Sequence, residues 1–356
     1  MKNLSWIVTS LLIVAGCSSS SDEQKLLCNE VNFIDAFPKE VELEAIRPLS
    51  LDLAGCVDVF SIDTLMIFKM MNGEYFWKVY SLNNNRFLGH FLAKGHGDNE
   101  FVSLPCSEMV MQTDTALLCD FWCPPKKTWY RCNLTKTIER NRLVCLQEKR
   151  FEQYDNLNFV VSLSDTSFYF LKDNDFVGYV RSLYVDGVEH EIDHIGNLNR
   201  MRIKEDINTL SAVRCVSRNR MMVAEGLLRL NQINLYSLKT DSSKTLCVGT
   251  ELDNVDEVDR RPKKLRHEYY GNILSYDDYF VALYHDVSAI DYLTGMGTSE
   301  LQFFDWSGRP LLCLKLPFMA SSFFIYQNRY VYVFSGMSEE KMMYKYDCGE
   351  ALQSVI

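Results

Sequence analysis

Glycine and proline are scarce, 17 and 8 of 356 residues, which excludes collagen-like repeats and low-complexity tracts. Basic residues are in deficit: 37 Lys and Arg stand against 47 Asp and Glu, a formal net charge of −10 at pH 7. A nucleic-acid binder needs surplus cations to neutralise phosphates, so no nucleic-acid partner is expected. Long apolar runs are also wanting; the notable one, Leu4 to Val14, is too short for a permanent membrane helix. What remains is a chain with 47% hydrophobic and 13% aromatic side chains, enough for one large core or two ordinary ones and too apolar for disorder. The meaning of its 12 cysteines depends on the compartment.

The apolar run follows Lys2 and ends in Val14-Ala15-Gly16-Cys17, the pattern of a secretory signal. Small residues before a cysteine resemble the lipobox of bacterial lipoproteins. That resemblance implies cleavage before Cys17 and acylation of it, which anchors the chain stably in a membrane. Ser18 to Ser21 with Asp22, Glu23 and Gln24 then form a polar tether. Ser18 suits outer-membrane sorting, since inner-membrane retention in such lipoproteins usually has Asp there. The expected organisation is a signal peptide over 1–16, a lipidated tether over 17–31 and one folded domain over 32–356. The domain would be periplasmic or surface-exposed.

Past the tether the apolar segments are short and rich in aromatic and β-branched residues, as in Phe168-Tyr169-Phe170-Leu171 and Tyr330-Val331-Tyr332-Val333-Phe334. These predict strands. One unit, a strand followed by a tight polar turn and a second strand, recurs six times. Its equivalent positions are Leu82, Asn133, Val185, Leu238, Asp305 and Asp347, with successive separations of 51, 52, 53, 67 and 42 residues. The long step contains an insertion, His285 to Glu300, marked by Gly295 and Gly297. Each unit has room for two further strands upstream, giving a four-stranded antiparallel meander. Meanders that cannot bury both faces alone pack around an axis and close a ring. The expected fold is all-β: a six-bladed β-propeller of four-stranded antiparallel blades, with Val41-Glu42-Leu43 or Leu49-Ser50-Leu51 adding a strand to the last blade.

Between the first two units, Gly95-His96-Gly97-Asp98-Asn99-Glu100-Phe101 resembles the interblade turn of bacterial six-bladed propellers of the TolB-like and NHL-like kind. With the lipobox, the chain looks like a TolB-like propeller lipoprotein of Gram-negative bacteria. The turn also has a purely structural reading: its glycines permit a sharp crossover, Glu100 accepts backbone N–H bonds and Phe101 plugs between blades. Its residues 95–100, with Tyr292 in the insertion, are the candidate binding loops.

His190 and His194, with Glu189, Glu191 and Asp193 interleaved, are spaced for a metal, but the His-Glu-x-x-His order is absent and the stretch is a predicted outer strand, so no metal site is assigned. If Pro124 to Lys127 form a hairpin loop, Cys123 faces Thr128 and Cys119 faces Cys132, a possible disulfide in an oxidising envelope. The basic run Arg260 to His267 reads as a solvated loop paired with the acidic stretch before it. No catalytic residue is assigned, because no nucleophile elbow, Ser/His/Asp set or phosphate-cradling loop is present. Acids such as Asp63, Asp165, Asp277 and Asp278 fit polar turns between first and second strands. The leading expectation is therefore a membrane-anchored, non-catalytic binding or scaffold module for a protein or glycan, with no cofactor. The alternative is a calcium-dependent hydrolase or lyase with its site in the propeller channel.

Overall fold

The computed structural model describes residues 25–97, 99–336 and 340–353. The chain begins with two short strands, β1 (Glu30–Ile34) and β2 (Glu40–Glu42), and then builds six small sheets in sequence. Blade one is β3 (Cys56–Ile62), β4 (Leu65–Met70), β5 (Tyr75–Ser81) and β6 (Phe87–Ala93). Blade two is β7 (Cys106–Gln112), β8 (Leu117–Cys123), β9 (Thr128–Asn133) and β10 (Cys145–Arg150). Blade three is β11 (Leu157–Ser162), β12 (Ser167–Asn174), β13 (Gly178–Val185) and β14 (Val188–Glu191). Blade four is β15 (Ala212–Ser217), β16 (Met222–Leu227), β17 (Ile233–Ser237) and β18 (Ser243–Val248). Blade five is β19 (His267–Ser275), β20 (Tyr279–Ser288), β21 (Ser299–Asp305) and β22 (Pro310–Leu316). Blade six has three strands, β23 (Ser322–Tyr326), β24 (Tyr330–Ser335) and β25 (Met342–Asp347). The protein is a six-bladed β-propeller, and the six repeat positions read from the sequence are the last residue of a blade's third strand or, for Leu82 and Leu238, the residue just after it.

The second strands explain the continuous apolar runs. Met66, Ile67 and Phe68 of β4, Phe168 to Phe170 of β12 and Phe280 to Leu283 of β20 are all fully buried, because each such strand is covered by a neighbouring blade on both faces. Aromatic rings seal the joints: Trp77 of blade one meets Phe121 of blade two edge-on at 5.4 Å, and Trp129 of blade two meets Phe168 of blade three at 5.3 Å. The joint between blades three and four packs Val161 and Tyr169 with Val216, Val223 and Tyr236 and also encloses a buried ion pair. Arg181 is bonded through both Nε (2.9 Å) and Nη2 (2.6 Å) to the Glu225 carboxylate, which Arg214 also holds at 2.7 Å. Burial would raise the Glu225 carboxyl, but the two guanidiniums bring it down to about 2.

Ring closure differs from the expectation in where the N-terminal strands go. β1 runs parallel to β18 on the outer edge of blade four, from Glu30 opposite Lys244 to Ile34 opposite Val248. β2, with Val41, lies parallel to β22 on blade five. Leu49 reaches the last blade without forming a strand, its N–H donating to Met343 O at 2.7 Å, and Leu51 packs beside it. The segment thus straps the exposed edges of blades four, five and six before entering blade one, which covers edges that would otherwise pair with other chains. Leu26 and Cys28 are buried against blade four, so packing begins ahead of residue 32. Blades six and one meet through Ser322 Oγ donating to Val59 O at 3.2 Å and through Phe324, Tyr332 and Phe334, which share a buried cluster with Met66 and Phe68.

Candidate functional site

In a four-stranded meander the start of the first strand, the turn between strands two and three, and the exit of strand four share one face. On that face the channel opens into a cavity of about 650 Å³. Blade one contributes Gly55, Cys56 and Asp58, blade five Gly271, Asn272 and Tyr292, and the blade-six region Ser321, Gly336 and Lys341. Tyr292 comes from the short helix Ala289–Thr294, inside the insertion that the sequence marks. Ser288 caps this helix by accepting from the Asp291 N–H, and Gly295 ends it at φ 68°.

The cavity's charges are already balanced. Asp58 Oδ2 lies 2.9 Å from Lys69 Nζ, which is also 2.8 Å from Glu108 Oε2 of blade two. Burial alone would lower the Lys69 ammonium, yet the two carboxylates hold it well above its ordinary value. Burial pushes the Glu108 carboxyl up, with Lys69 opposing. Asn272 Nδ2 donates to Ser322 Oγ at 2.9 Å, and its Oδ1 accepts the Ile273 N–H at 2.7 Å. Lys341 Nζ donates to Gly336 O.

Beneath the lining sits His285, only 7% exposed. Its Nδ1 pairs with Ser299 Oγ at 2.9 Å, and Ser299 Oγ also accepts the Ala320 N–H at 2.9 Å. Nε2 has no partner among the described residues. A Cβ at position 271 would fall 2.3 Å from that nitrogen, so glycine is required there by the imidazole. The Tyr292 ring closes over it edge-on at 5.2 Å. Burial lowers the His285 pKa to about 4.

Of the sequence-derived candidates, Tyr292 lines the cavity and Gly95, His96, Gly97, Asn99 and Glu100 do not. In the 95–100 turn, Glu100 Oε2 accepts the Gly97 N–H at 3.0 Å and fills the space a side chain on Gly95 would need, a Cβ there lying 2.0 Å away. Phe101 is buried between Phe121 and Tyr130. Asp98 and Cys17 lie outside the described residues. His190 is on outer strand β14 and His194 in the turn after it; among the described residues no three His, Cys, Asp or Glu side chains cluster for a metal. Cys119 and Cys132 are register partners, as are Cys123 and Thr128 around the Pro124–Lys126 turn. The Cys132 sulfur is nearest to that of Cys145, at 2.9 Å. In the basic run, Asp206 takes Lys263 at 3.3 Å and Arg266 at 2.8 Å. Asp63, Asp165, Asp277 and Asp278 all sit in first-to-second strand turns, on the face opposite the cavity, where Asp165 holds Arg131 and Asp278 holds Arg220.

The cavity-bearing face also carries apolar side chains in water. Phe176 (79% exposed), Leu293 (73%), Met296, Met71 and Leu265 all project from its turns and crossovers. Sequence reading missed Asp58, Lys69, Glu108, Asn272, His285 and Lys341; the one local signal was Gly271, an isolated glycine in an aromatic strand.

No protein-family model and no curated protein matches the chain. Solved structures resemble it at the level of the fold. A member of the DUF4221 family from Bacteroides vulgatus superposes with a TM-score of 0.50 at 8% identity, covering 82% of this chain and 93% of that one. An exported protein of Bacteroides fragilis, described as putative, gives a TM-score of 0.46 at 12% identity over 86% and 87%. The six-bladed ring is what the chain shares with the first of these.

Proposed function

We propose that the chain is a lipid-anchored protein of the bacterial envelope, attached to the outer membrane through Cys17, whose propeller is a non-catalytic binding module. Its cavity-bearing face engages a protein partner. The observation that carries this reading is the coincidence, on one face, of a polar cavity edged by Tyr292 with the exposed apolar side chains of Met71, Phe176, Leu265, Leu293 and Met296. Exposed apolar groups around a recess are the make-up of a protein-binding surface. A glycan would use Tyr292, Asp58 and Asn272 but has no need of the apolar ring. The turn at 95–101 and the six-bladed ring support a TolB-like or NHL-like affiliation.

The calcium-dependent hydrolase reading needs several free oxygen donors at one point. Asp58 is committed to Lys69 and Asn272 Oδ1 to a backbone N–H, which leaves Glu108 Oε1 as the one oxygen of these three side chains without a partner among the described residues and weighs against that ion. Chelation of divalent cations should leave the melting temperature unchanged.

The partner reading is tested by placing a photocrosslinking side chain at Leu293 or at Val188, which is exposed on the opposite face, and irradiating cells. A discrete protein adduct from position 293 and none from 188 is expected. Adducts from 188 alone, or from neither, overturn it.

A further inference from the structure

Blade two carries three cysteines in one row across its strands: Cys119 on β8 faces Cys132 on β9, and Cys132 faces Cys145 on β10. All three are free thiols. We propose that on oxidation Cys132 joins Cys145, and not Cys119, in a disulfide that pins the outermost strand of blade two to its neighbour.

The backbone decides between the two partners. Asn133 N–H donates to Val144 O at 2.9 Å, so 133 and 144 are a hydrogen-bonded pair and 132 and 145, beside them, are a non-hydrogen-bonded pair. Such pairs bring their side chains closer than hydrogen-bonded pairs do, toward the roughly 3.5 to 4.5 Å between Cβ atoms that a disulfide needs. Backbone bonding alternates sides along a strand, so Cys132 turns its N–H and C=O toward β8. Cys119 and Cys132 are then the wider kind of pair, about 5.5 Å between Cα atoms. The sulfurs agree: Cys132 Sγ is 2.9 Å from Cys145 Sγ, while the Cys119 S–H points to a backbone carbonyl, Asp120 O, at 3.7 Å.

Access agrees as well. Cys145 is exposed, whereas Cys119 and Cys132 are fully buried. The Cys132 side chain, hydrogen-bonded to Cys145, lowers the Cys145 thiol pKa, and burial raises that of Cys132. Cys145 is therefore the thiol that ionises and meets an oxidant first. Its thiolate attacks one sulfur of a disulfide oxidant, such as oxidised glutathione, forming a mixed disulfide and releasing one thiolate. Cys132 then gives up its proton and attacks Cys145 Sγ, forming the protein disulfide and releasing the second thiolate. Two electrons pass to the oxidant, and the two protons end on its thiols. The bridge closes a loop holding the helix Leu134–Arg140 and ties down β10, whose residues are otherwise mostly exposed.

The full chain is equilibrated with oxidised glutathione under native conditions, alkylated, digested without reductant and analysed by mass spectrometry. A peptide pair linking residues 132 and 145 is expected, with a rise of about 5 °C in melting temperature over the reduced protein. Cys119→Ser should keep both the link and the rise; Cys145→Ser should lose both. A link from Cys132 to Cys119, or alkylation of both Cys132 and Cys145 after equilibration, overturns the pairing.

Discussion

At the scale of single residues, the buried imidazole is the group whose ionisation the fold resists most plainly. His285 has an ordinary pKa of 6.5 and is held near 4 by burial, with the Tyr292 ring and Ser299 hydroxyl as its neighbours and no carboxylate among its hydrogen-bond partners. A group with a folded-state pKa below its unfolded one favours the folded state fully above the unfolded pKa and loses that contribution as pH falls toward the folded value. Stability from this site is therefore complete above about pH 6.5 and declines by about 3 kcal/mol on going to pH 4. His285→Asn, which cannot titrate, should flatten this part of the profile. Denaturant midpoints measured at half-unit steps from pH 7 to 4 give the difference between the two proteins; parallel curves would show that His285 does not ionise there. The Glu225 carboxyl, brought to about 2, contributes in a separate window, from about pH 4.5 downward. None of this was legible in the sequence. Gly271 stood out as a lone glycine among aromatics, but the reason for it, the Nε2 of a histidine on the next strand, is a contact that only the folded sheet makes.

At the scale of elements, legibility divides by distance along the chain. Turns were readable because their chemistry is local: Asp63, Asn85, Asp186 and Asn328 all adopt positive φ, as turn residues of these types do. Four of the six third-strand ends were readable because a turn or bend of polar residues follows directly, after Ser81, Val185, Ser237 and Asp305; Asn133 instead caps the helix Leu134–Arg140, and Asp347 leads into the helix Gly349–Gln353. The N-terminal strap was not, since its partners lie more than 200 residues away and parallel pairing leaves no hairpin signature. Val41 thus ended on blade five, where Glu40 reaches Lys315 at 2.6 Å, and Leu26 in the core of blade four. The strap's contribution to stability should depend on burial and not on strand membership. Leu26→Ala, at a buried position, should cost about 2–4 kcal/mol. Phe33→Ala, within β1 but 49% exposed, should change stability by about 0.5 kcal/mol or less. Urea unfolding of both variants checks this, and equal losses would mean that the strap acts through strand pairing instead.

At the scale of the whole molecule, the strap also sets how an anchored propeller would stand on a bilayer. Cys28 N–H donates to Thr245 Oγ1 at 2.9 Å, level with Asn234 near the start of β17, and Leu26 O accepts from Gln232, just before that strand. The chain traced backward from β1 therefore climbs to the face where third strands begin, which is the face of the cavity and of the exposed apolar side chains. From Lys25 to Cys17 is eight residues, a reach of about 28 Å at full extension. An eight-residue strand such as β13 already rises about 27 Å, so seating the opposite face on the membrane would need the tether stretched almost fully along the side of a blade, at a cost in chain entropy. A lipidated protein should accordingly stand with its cavity toward the bilayer, which restricts partners to those held at the membrane surface. Tryptophan introduced at Leu293, in protein reconstituted into vesicles, should be quenched by brominated lipids beyond the wild-type background, and tryptophan at Val188 should not. Quenching at 188 alone would reverse the orientation. Absence of a lipid adduct on Cys17 by mass spectrometry would remove the anchor itself, and the two failures are thereby told apart.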